Sequence, residues 1–376
     1  TLFPYTTLFR SGRRSIFLSV LSGSTVGSGN GIVVPAHSPV QSLADLKGKR
    51  ISVPFASTSH GMLLRAVKAQ GWDPERDVTI LTQAPEVAGS ALQAGRIDAH
   101  ADFVPFADLF PYKGFARKIY DGAQADAPTF HGTLVSADYA RKYPEVVVAY
   151  LRAVIEANRL FDADPLKYSE LVAKVTGIDA EVAYLFGGPL GLQTRDLSWK
   201  PEYRQALATA IDTLRLLKRH DSALTADSFI DDSYLRAAFK AEGLDYNAQL
   251  TTYARLALKA DDALTGKPIA DDRRAAQVWV AGEARVRSYA SAENAFADVK
   301  KVEAAGGKVR VVYAQDRKLG LKLLANQAWF AADANGQLSA FLLKDDAARW
   351  ARDHHARVLD YAAARGFAAA HVASAQ

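Results

Sequence analysis

The chain has 376 residues, of which 49% are hydrophobic and 23% charged, with a formal net charge of +5 and no cysteine. These values are ordinary for a globular protein of two or three domains, and they exclude wholesale disorder, disulfides and thiolate metal sites. No uninterrupted apolar run reaches the ~18–20 residues that a membrane-spanning helix needs. The small charge, without basic clusters among aromatic residues, argues against a nucleic-acid partner.

The first eleven residues, TLFPYTTLFRS, differ in character from the rest of the chain. They resemble the in-frame translation of a DNA-sequencing adapter, and the only methionine of the chain is Met62. We therefore expect residues 1–11 to form no essential strand, as holds for residues left over from an expression vector. On this interpretation natural sequence begins near Gly12, and upstream coding sequence, including any signal sequence, is lost.

From Gly12 to about residue 135, short β-rich segments alternate with amphipathic helices. The sequence predicts strands at residues 15–21, 31–35, 50–54, 77–81 and 96–103, and helices at residues 57–71, at 85–94 and from Pro105 onward. Strands that alternate with helices in this way indicate parallel βαβ units. The Gly/Ser-rich stretch SGSTVGSGNG, which follows the first strand, predicts a loop.

After about residue 135 the pattern changes twice. From Ala137 to Phe239 the signals are nearly all helical, and residues 241–273 are polar and are predicted to be a linker. From Ala276 the strands AQVWVAG, ARVRSYA, KVRVVYAQD and NQAWFAADA surround the helix SAENAFADVKKVEAAGG, and FLLKDD begins a helical close. This third segment indicates a separate α+β unit of about 100 residues, large enough to hold its own core.

The motifs of common enzymes are absent. The chain has no Gly-x-Ser-x-Gly elbow, P-loop, His-Glu-x-x-His or Cys-x-x-Cys motif. His354 and His355 are neighbours on a predicted helix and do not share a face, so they predict no metal site. The sequence therefore predicts no catalytic residue, no cofactor and no metal.

Polar residues follow the strand that ends at Pro54 and lead into the next helix. They are Ser57, Thr58, Ser59 and His60. A helix N-terminus leaves backbone N–H groups unpaired and carries partial positive charge. Three hydroxyls and an imidazole beside those amides predict a site for a small oxyanion or polar head group, with plain helix capping as the alternative.

A second group of candidate donors follows the first strand. Ser22, Gly23 and Ser24 belong to a Gly/Ser loop in this prediction. Both groups would lie at the carboxyl ends of strands, which is where open α/β sheets bind their ligands.

Three stretches resemble the periplasmic substrate-binding proteins of ABC importers for nitrate, sulfonates and taurine. They are SPVQSLADLKGKRISVPFASTSHGMLLRAV, ALQAGRIDAHADFVPF and PEVVVAYLRAVIEANRLFDADP. The resemblance covers residues 12–240 and implies an α/β fold of the two-lobed periplasmic-binding-protein type (type II), with the first lobe truncated. Lobe two is expected at about 39–128 and lobe one at 12–38 and 129–240, with chain crossings near residues 37–39 and 130–133.

The resemblance also implies a site and a function. In that family the Ser-Thr-Ser-His segment contacts ligand at the mouth of the inter-lobe cleft. An aromatic residue follows the Gly-Arg-Ile-Asp-Ala motif, here Phe103 where members often have Trp. The implied function is capture of a small polar or anionic solute, without chemistry, and delivery to an ABC permease, by a protein in the periplasm or lipid-anchored outside the cytoplasm. Because lobe one is expected to be truncated, we expect this chain to bind its solute weakly or not at all.

Residues 274–376 resemble the NosL family, accessory lipoproteins of nitrous oxide reductase maturation, through AQVWVAGEARVRSYASAENAFADVKK and AWFAADANGQLSAFLLKDDAARWARDHHARVLDYAAA. Those proteins bind copper(I) through soft sulfur ligands. This chain has no cysteine and its Met62 lies outside the segment, so the copper role is not carried over. Two alternatives to solute capture stay open: a copper or maturation accessory protein acting through this unit, and a precursor-synthesis enzyme on the same fold, with His60 as its base.

Overall fold

The structure is a computed structural model that describes residues 15–55, 57–216, 223–253 and 255–374, so the adapter-like residues 1–11 lie outside the described residues. Its strands are β1 (Ser15–Ser24), β2 (Gly31–Pro35), β3 (Arg50–Val53), β4 (Thr79–Thr82), β5 (Ala99–Asp102), β6 (Ala116–Asp121), β7 (Thr129–Ser136), β8 (Ala276–Val280), β9 (Arg287–Tyr289), β10 (Val309–Gln315), β11 (Lys322–Leu324), β12 (Trp329–Ala332), β13 (Leu338–Phe341) and β14 (Arg357–Leu359). Its helices are α1 (Thr58–Ala69), α2 (Pro85–Gln93), α3 (Phe106–Tyr112), α4 (Ala137–Lys142), α5 (Pro144–Ala163), α6 (Pro165–Thr176), α7 (Ala180–Gly187), α8 (Pro201–Leu216), α9 (Ala226–Phe229), α10 (Ser233–Ala241), α11 (Tyr246–Leu250), α12 (Ala292–Ala304), α13 (Lys344–Asp353) and α14 (Tyr361–Ser374).

Lobe two is built on a five-stranded sheet with strand order β4-β3-β5-β2-β6. The βαβ units predicted from the sequence give the parallel pairs β3–β4 and β3–β5, and α1 buries Met62, Leu63 and Val67 in the core of this lobe. Strand β2 corrects the predicted boundary, because it pairs antiparallel with β5 and β6 and so belongs to this sheet rather than to lobe one. Its residues from Gly31 to Val34 are buried, as a strand inside a covered sheet requires.

Lobe one centres on the antiparallel pair β1–β7, the only ladder that the described residues form there. Helices α4, α5 and α10 share a buried cluster with Leu18 on one face of the pair, and α8 and α9 share another with Phe17 on the other face. These two strands also carry the chain between the lobes. Strand β1 runs to Ser24, beyond its predicted end at residue 21, because its last residues pair with the start of β7.

The C-terminal unit holds two sheets, ordered β11-β10-β8-β9 and β13-β12-β14, with helices α12, α13 and α14. The predicted helical close is interrupted by β14, which pairs with β12 through Val358 and its neighbours. The unit's core is not its own, because Tyr184 and Leu185 of α7 lie in the same buried cluster as Trp279 and Tyr313. Among the helices of the described ranges, none is both long and apolar enough to cross a membrane.

Candidate functional site

A cavity of about 130 Å³ lies between lobe two and lobe one, and we call it the inter-lobe cavity. On the lobe-two side it is lined by α1 and the residue before it, through Ser57, Thr58, Gly61, Met62 and Arg65. On the lobe-one side it is lined by α8, by Phe229 and by the segment around Phe130 that enters β7. The N-terminus of α1 therefore faces this cavity, as predicted for the strand-to-helix junction.

The hydroxyls at that junction are committed to the protein itself. Ser57 caps α1 by accepting from the His60 N–H at 3.2 Å, and its own proton goes to the Pro54 carbonyl at 2.5 Å. Thr58 Oγ1 donates to Asn30 Oδ1 at 3.2 Å, which ties α1 to the loop before β2. The backbone donor left at the cavity is the Thr58 N–H group, which bonds to no acceptor among the described residues. The side-chain hydroxyls of Ser57 and Thr58 therefore serve the packing and capping of α1.

Two of the four residues predicted to line the site do not do so. Ser59 is fully buried, and its hydroxyl lies 2.8 Å from Ser57 Oγ. His60 is also buried, and its ring stacks on Phe55 with centroids 4.5 Å apart. Burial lowers the pKa of His60, so its neutral form is favoured. Both side chains pack within lobe two, because helical spacing turns them away from the cavity-facing side of α1.

Arg65 is the site residue that sequence reasoning missed. Among the described lining residues it is the only charged one, and no acidic residue lines the cavity. Its guanidinium donates to the Asp126 carbonyl at 3.2 Å and pairs with none of the carboxylates in the described ranges. The signal was present in the sequence: Arg65 follows Thr58 by seven residues, which is two helical turns on the same face. The cavity is therefore positive on its lobe-two wall.

The lobe-one wall is mostly apolar. Ile211, Leu214 and Phe229 line it together with Leu207, and Gln205 and Thr209 add two polar groups from the same helix, α8. Thr209 Oγ1 donates to the Gln205 carbonyl one turn earlier, at 2.9 Å, as threonines inside helices do. The lobe-two wall of the cavity is therefore cationic through Arg65, and the facing lobe-one wall is mostly hydrocarbon.

The second predicted donor group has a structural role. Gly23 lies inside β1, where its N–H donates to the Thr194 carbonyl at 3.0 Å. A Cβ there would stand 2.7 Å from the Thr129 carbonyl and 2.9 Å from the Tyr203 ring, so glycine is required by close packing. Ser22 Oγ donates to Gln193 Oε1 at 3.3 Å. Neither residue lines the inter-lobe cavity, which corrects the prediction that they offer free donors in a loop.

Phe103 lies beside the crossing strands rather than in the inter-lobe cavity. Its ring is 6.4 Å from Phe106 in an edge-on arrangement and 6.5 Å from His131, which pairs with Ser22 across the β1–β7 ladder. Burial lowers the pKa of His131. Phe103 therefore bridges lobe two to the strands that carry the chain between the lobes, and a ligand contact by Phe103 stays a prediction.

Lobe two also holds a Ser–His–Asp chain that sequence reasoning did not identify. His100 Nδ1 lies 2.7 Å from Ser52 Oγ, and His100 Nε2 lies 2.7 Å from Asp102 Oδ2. All three side chains are 0% exposed, and none of them is among the described lining residues of the inter-lobe cavity. Substrate cannot reach this chain of hydrogen bonds, so it joins β3 to β5 inside the core. The signal was the i, i+2 spacing of His100 and Asp102, which puts both on one face of a strand.

Comparison with known proteins supports this two-lobed organisation. Over 210 residues the chain is 31% identical to the taurine-binding periplasmic protein of Escherichia coli K12, a match that covers 53% of this chain and 63% of that protein. The periplasmic aliphatic sulphonate binding protein SsuA from Escherichia coli superposes with a TM-score of 0.51 at 24% identity, covering 63% of this chain and 79% of SsuA. The periplasmic nitrate-binding protein NrtA from Synechocystis PCC 6803 gives 0.52 at 15% identity, covering 69% and 76%.

The fold is that of periplasmic substrate-binding proteins, which confirms the α/β class predicted from the sequence. Residues 24–167 match the family described as "NMT1/THI5 like". The relatives it matches are named as binding proteins rather than enzymes. The chain covers less than two thirds of the taurine-binding relative. The likeness of residues 274–376 to NosL stays a prediction.

Proposed function

We propose that this chain is the solute-binding component of an ABC importer and that its solute is a small organic sulfonate such as taurine or an alkanesulfonate. The main support for the proposal is the inter-lobe cavity, where Arg65 and the N-terminus of α1 at Thr58 face an apolar wall and no acidic residue is among the described lining residues. A helix N-terminus and a guanidinium both favour an oxyanion. The names of the relatives, taurine-binding and sulfonate-binding, are consistent with this chemistry.

The apolar wall favours a sulfonate over nitrate. In this proposal the sulfonate oxygens accept from the Thr58 N–H group and from Arg65. The organic part then contacts the apolar wall of the other lobe, where Leu214 is partly exposed, a contact that nitrate, having no carbon, cannot make. Closing the lobes around the solute would bring the two walls together, with the crossing strands absorbing the backbone change. The proposed partner is a membrane permease, and the proposed location is outside the cytoplasm.

The experiment is an NMR titration of the full chain with taurine, ethanesulfonate and nitrate, comparing Arg65→Gln with the parent. Arg65 would donate charge-assisted hydrogen bonds worth ~1.5–3 kcal/mol, so we expect its loss to weaken sulfonate binding by about 10–100-fold. Lys68→Gln is the matched control, because it removes the same charge from the exposed side of α1, three residues on, outside the cavity. We expect Lys68→Gln to change affinity by less than about twofold.

The parent is expected to bind weaker than micromolar, because hydrogen-bond donors come almost entirely from the lobe-two wall. Equal effects of Arg65→Gln and Lys68→Gln on sulfonate affinity would show that Arg65 does not contact the solute. Absence of any sulfonate-induced shift at millimolar concentration would contradict the proposed function. Tighter binding of nitrate than of ethanesulfonate would contradict the role of the apolar wall.

A further inference from the structure

The C-terminal unit is joined to lobe one by buried contacts that the proposed function does not use. Tyr313 Oη donates to the Glu181 carbonyl of α7 at 2.7 Å, and Lys322 Nζ donates to the Pro189 carbonyl at 3.0 Å. Arg310 Nε donates to the Glu181 carboxylate at 2.6 Å. Together with the shared buried cluster, these bonds make α7 and the C-terminal unit one packed body.

The same body also contacts lobe two, at the end of α3. Gln327 Nε2 of the C-terminal unit donates to the Pro111 carbonyl at 3.4 Å. Lys113 Nζ lies 2.8 Å from Asp179 Oδ2, at the start of α7. Between these contacts Tyr112 packs against the cluster that α7 shares with the C-terminal sheets. We call this set of five residues, Pro111, Tyr112, Lys113, Asp179 and Gln327, the latch.

The latch is formed by elements other than the strands about which the lobes would rotate. The crossing strands are β1 and β7, whereas the latch joins α3 of lobe two to α7 and to the turn at 325–327 of the C-terminal unit. A rotation of lobe two about the crossing strands therefore has to change the separation of Lys113 and Asp179. A contact in this position favours one inter-lobe angle over the others.

We propose that the C-terminal unit serves as a brace, and that Tyr112, Lys113 and Gln327 are positioning residues that set the angle between the lobes and through it the affinity for solute. The proposal rests on the proposed function, because the inter-lobe cavity holds a solute only as tightly as the two lobes close on it. The latch is built from weak contacts: the Lys113 side chain is 49% exposed and the Gln327 hydrogen bond is long. Contacts of this strength bias an equilibrium between angles without locking it.

The test measures the inter-lobe distance directly, in the absence of solute. The chain has no cysteine, so Ala69→Cys on lobe two and Ala149→Cys on lobe one, both at exposed alanines, accept spin labels at two defined sites. Double electron–electron resonance then gives the distance distribution of the full chain. We expect Lys113→Ala combined with Gln327→Ala to change the ratio of short to long distances by about two- to fivefold.

Arg152→Ala supplies a matched control. Its ion pair with Glu242 lies within lobe one, and the two side chains are 50% and 29% exposed, against 49% and 25% for the Lys113–Asp179 pair. We expect this variant to leave the distance distribution of the parent unchanged. Identical inter-lobe distance distributions for the parent, the control and the latch variant would refute the proposal that the C-terminal unit is a brace.

A taurine titration of the same labelled chains separates the two proposals. If the latch variant shifts the distances and taurine binds neither chain, the brace stands and the sulfonate proposal fails. If taurine binds both chains with equal affinity and equal distances, the sulfonate proposal stands and the brace fails. A changed distance with a changed taurine affinity supports both.

Discussion

Replacing Asp102 by alanine and by asparagine separates hydrogen bonding from charge in the core of lobe two. Asp102 Oδ1 accepts from the Phe103 N–H at 2.8 Å, and Oδ2 accepts from His100 Nε2 at 2.7 Å. Alanine leaves the Phe103 N–H without an acceptor and His100 Nε2 without a partner. Each unpaired buried polar group costs ~1–3 kcal/mol, so for two such groups we expect Asp102→Ala to lower the free energy of unfolding of lobe two by about 2–6 kcal/mol.

Asparagine can keep both hydrogen bonds. Its amide oxygen accepts from the Phe103 N–H, and its NH₂ donates to His100 Nε2 once the imidazole proton has moved to Nδ1. The Nδ1–H then donates a hydrogen bond to the Ser52 carbonyl, which lies 3.1 Å away. We therefore expect Asp102→Asn to cost less than about 1 kcal/mol. The two variants differ because asparagine keeps a partner for each buried polar group next to position 102, whereas alanine does not.

The pH dependence of stability also distinguishes the parent from Asp102→Asn. Burial raises the pKa of Asp102, so the folded protein holds this proton at pH values where the unfolded chain, with its ordinary pKa of ~3.9, has lost it. Linkage then makes the stability contributed by this group fall as pH rises from about 4 through the raised pKa. Asparagine has no such proton. The stability of the parent relative to Asp102→Asn should therefore increase as pH falls through this window.

Hydrogen-exchange mass spectrometry of peptides that cover β3 and β5 measures the stability of lobe two without assuming that the whole chain unfolds in one step. Asp98→Ala is the control, since Asp98 pairs with Arg50 at the exposed end of the same sheet and should cost under about 1 kcal/mol. An Asp102→Asn variant as unstable as Asp102→Ala, or one that keeps the pH slope of the parent, would refute the reasoning.

Three further predictions follow from single positions. Gly23→Ala should destabilise the crossing strands by about 1–3 kcal/mol, because the new Cβ meets the Thr129 carbonyl at 2.7 Å, and an unchanged melting temperature would contradict this. Gly61→Ala inside α1 should stabilise by about 0.5–1 kcal/mol, since no atom within 4 Å would meet the Cβ; a lower melting temperature would count against it. Burial lowers the pKa of Lys322, so stability falls as pH drops from about 10.4 toward that lowered pKa. Lys322→Met should therefore gain more over the parent at pH 7 than at pH 10 in thermal unfolding, and an equal gain at both would refute the assignment.

The elements that local pattern predicts well are the amphipathic helices. Helix α1 was expected at 57–71 and forms at Thr58–Ala69, because apolar spacing and a serine cap both act within a few residues. Strand β6 was not predicted, since Lys118 and Asp121 are typical of a surface. The structure buries them in an ionic cluster, with Lys118 Nζ 2.6 Å from Asp108 Oδ1 and 3.2 Å from Asp121 Oδ2. Such pairing depends on a third residue from α3, which no local pattern identifies.

The assignment of β2 to the wrong lobe has the same cause. Its pattern indicates a buried strand, and the strand forms as expected, but its partners β5 and β6 are set by tertiary contacts. At the site, the donor-rich junction before α1 could be predicted from residue types alone. The hydrogen bonds that the Ser57 and Thr58 hydroxyls make within the protein could not be predicted in this way. Their acceptors are the Pro54 carbonyl and Asn30, which come within reach only when the chain folds.

The core that α7 shares with the C-terminal sheets decides how this polypeptide can be divided. A cut in the polar segment 241–273 follows the compositional boundary, yet it would strip the cover from Tyr184 and Leu185 on one fragment and from Trp279 and Tyr313 on the other. Each fragment alone would expose a large apolar surface and would tend to aggregate. Mixed or co-expressed, the fragments have the complementary faces needed to reassemble without a covalent link, so the polar segment is a tether between halves of one folding unit.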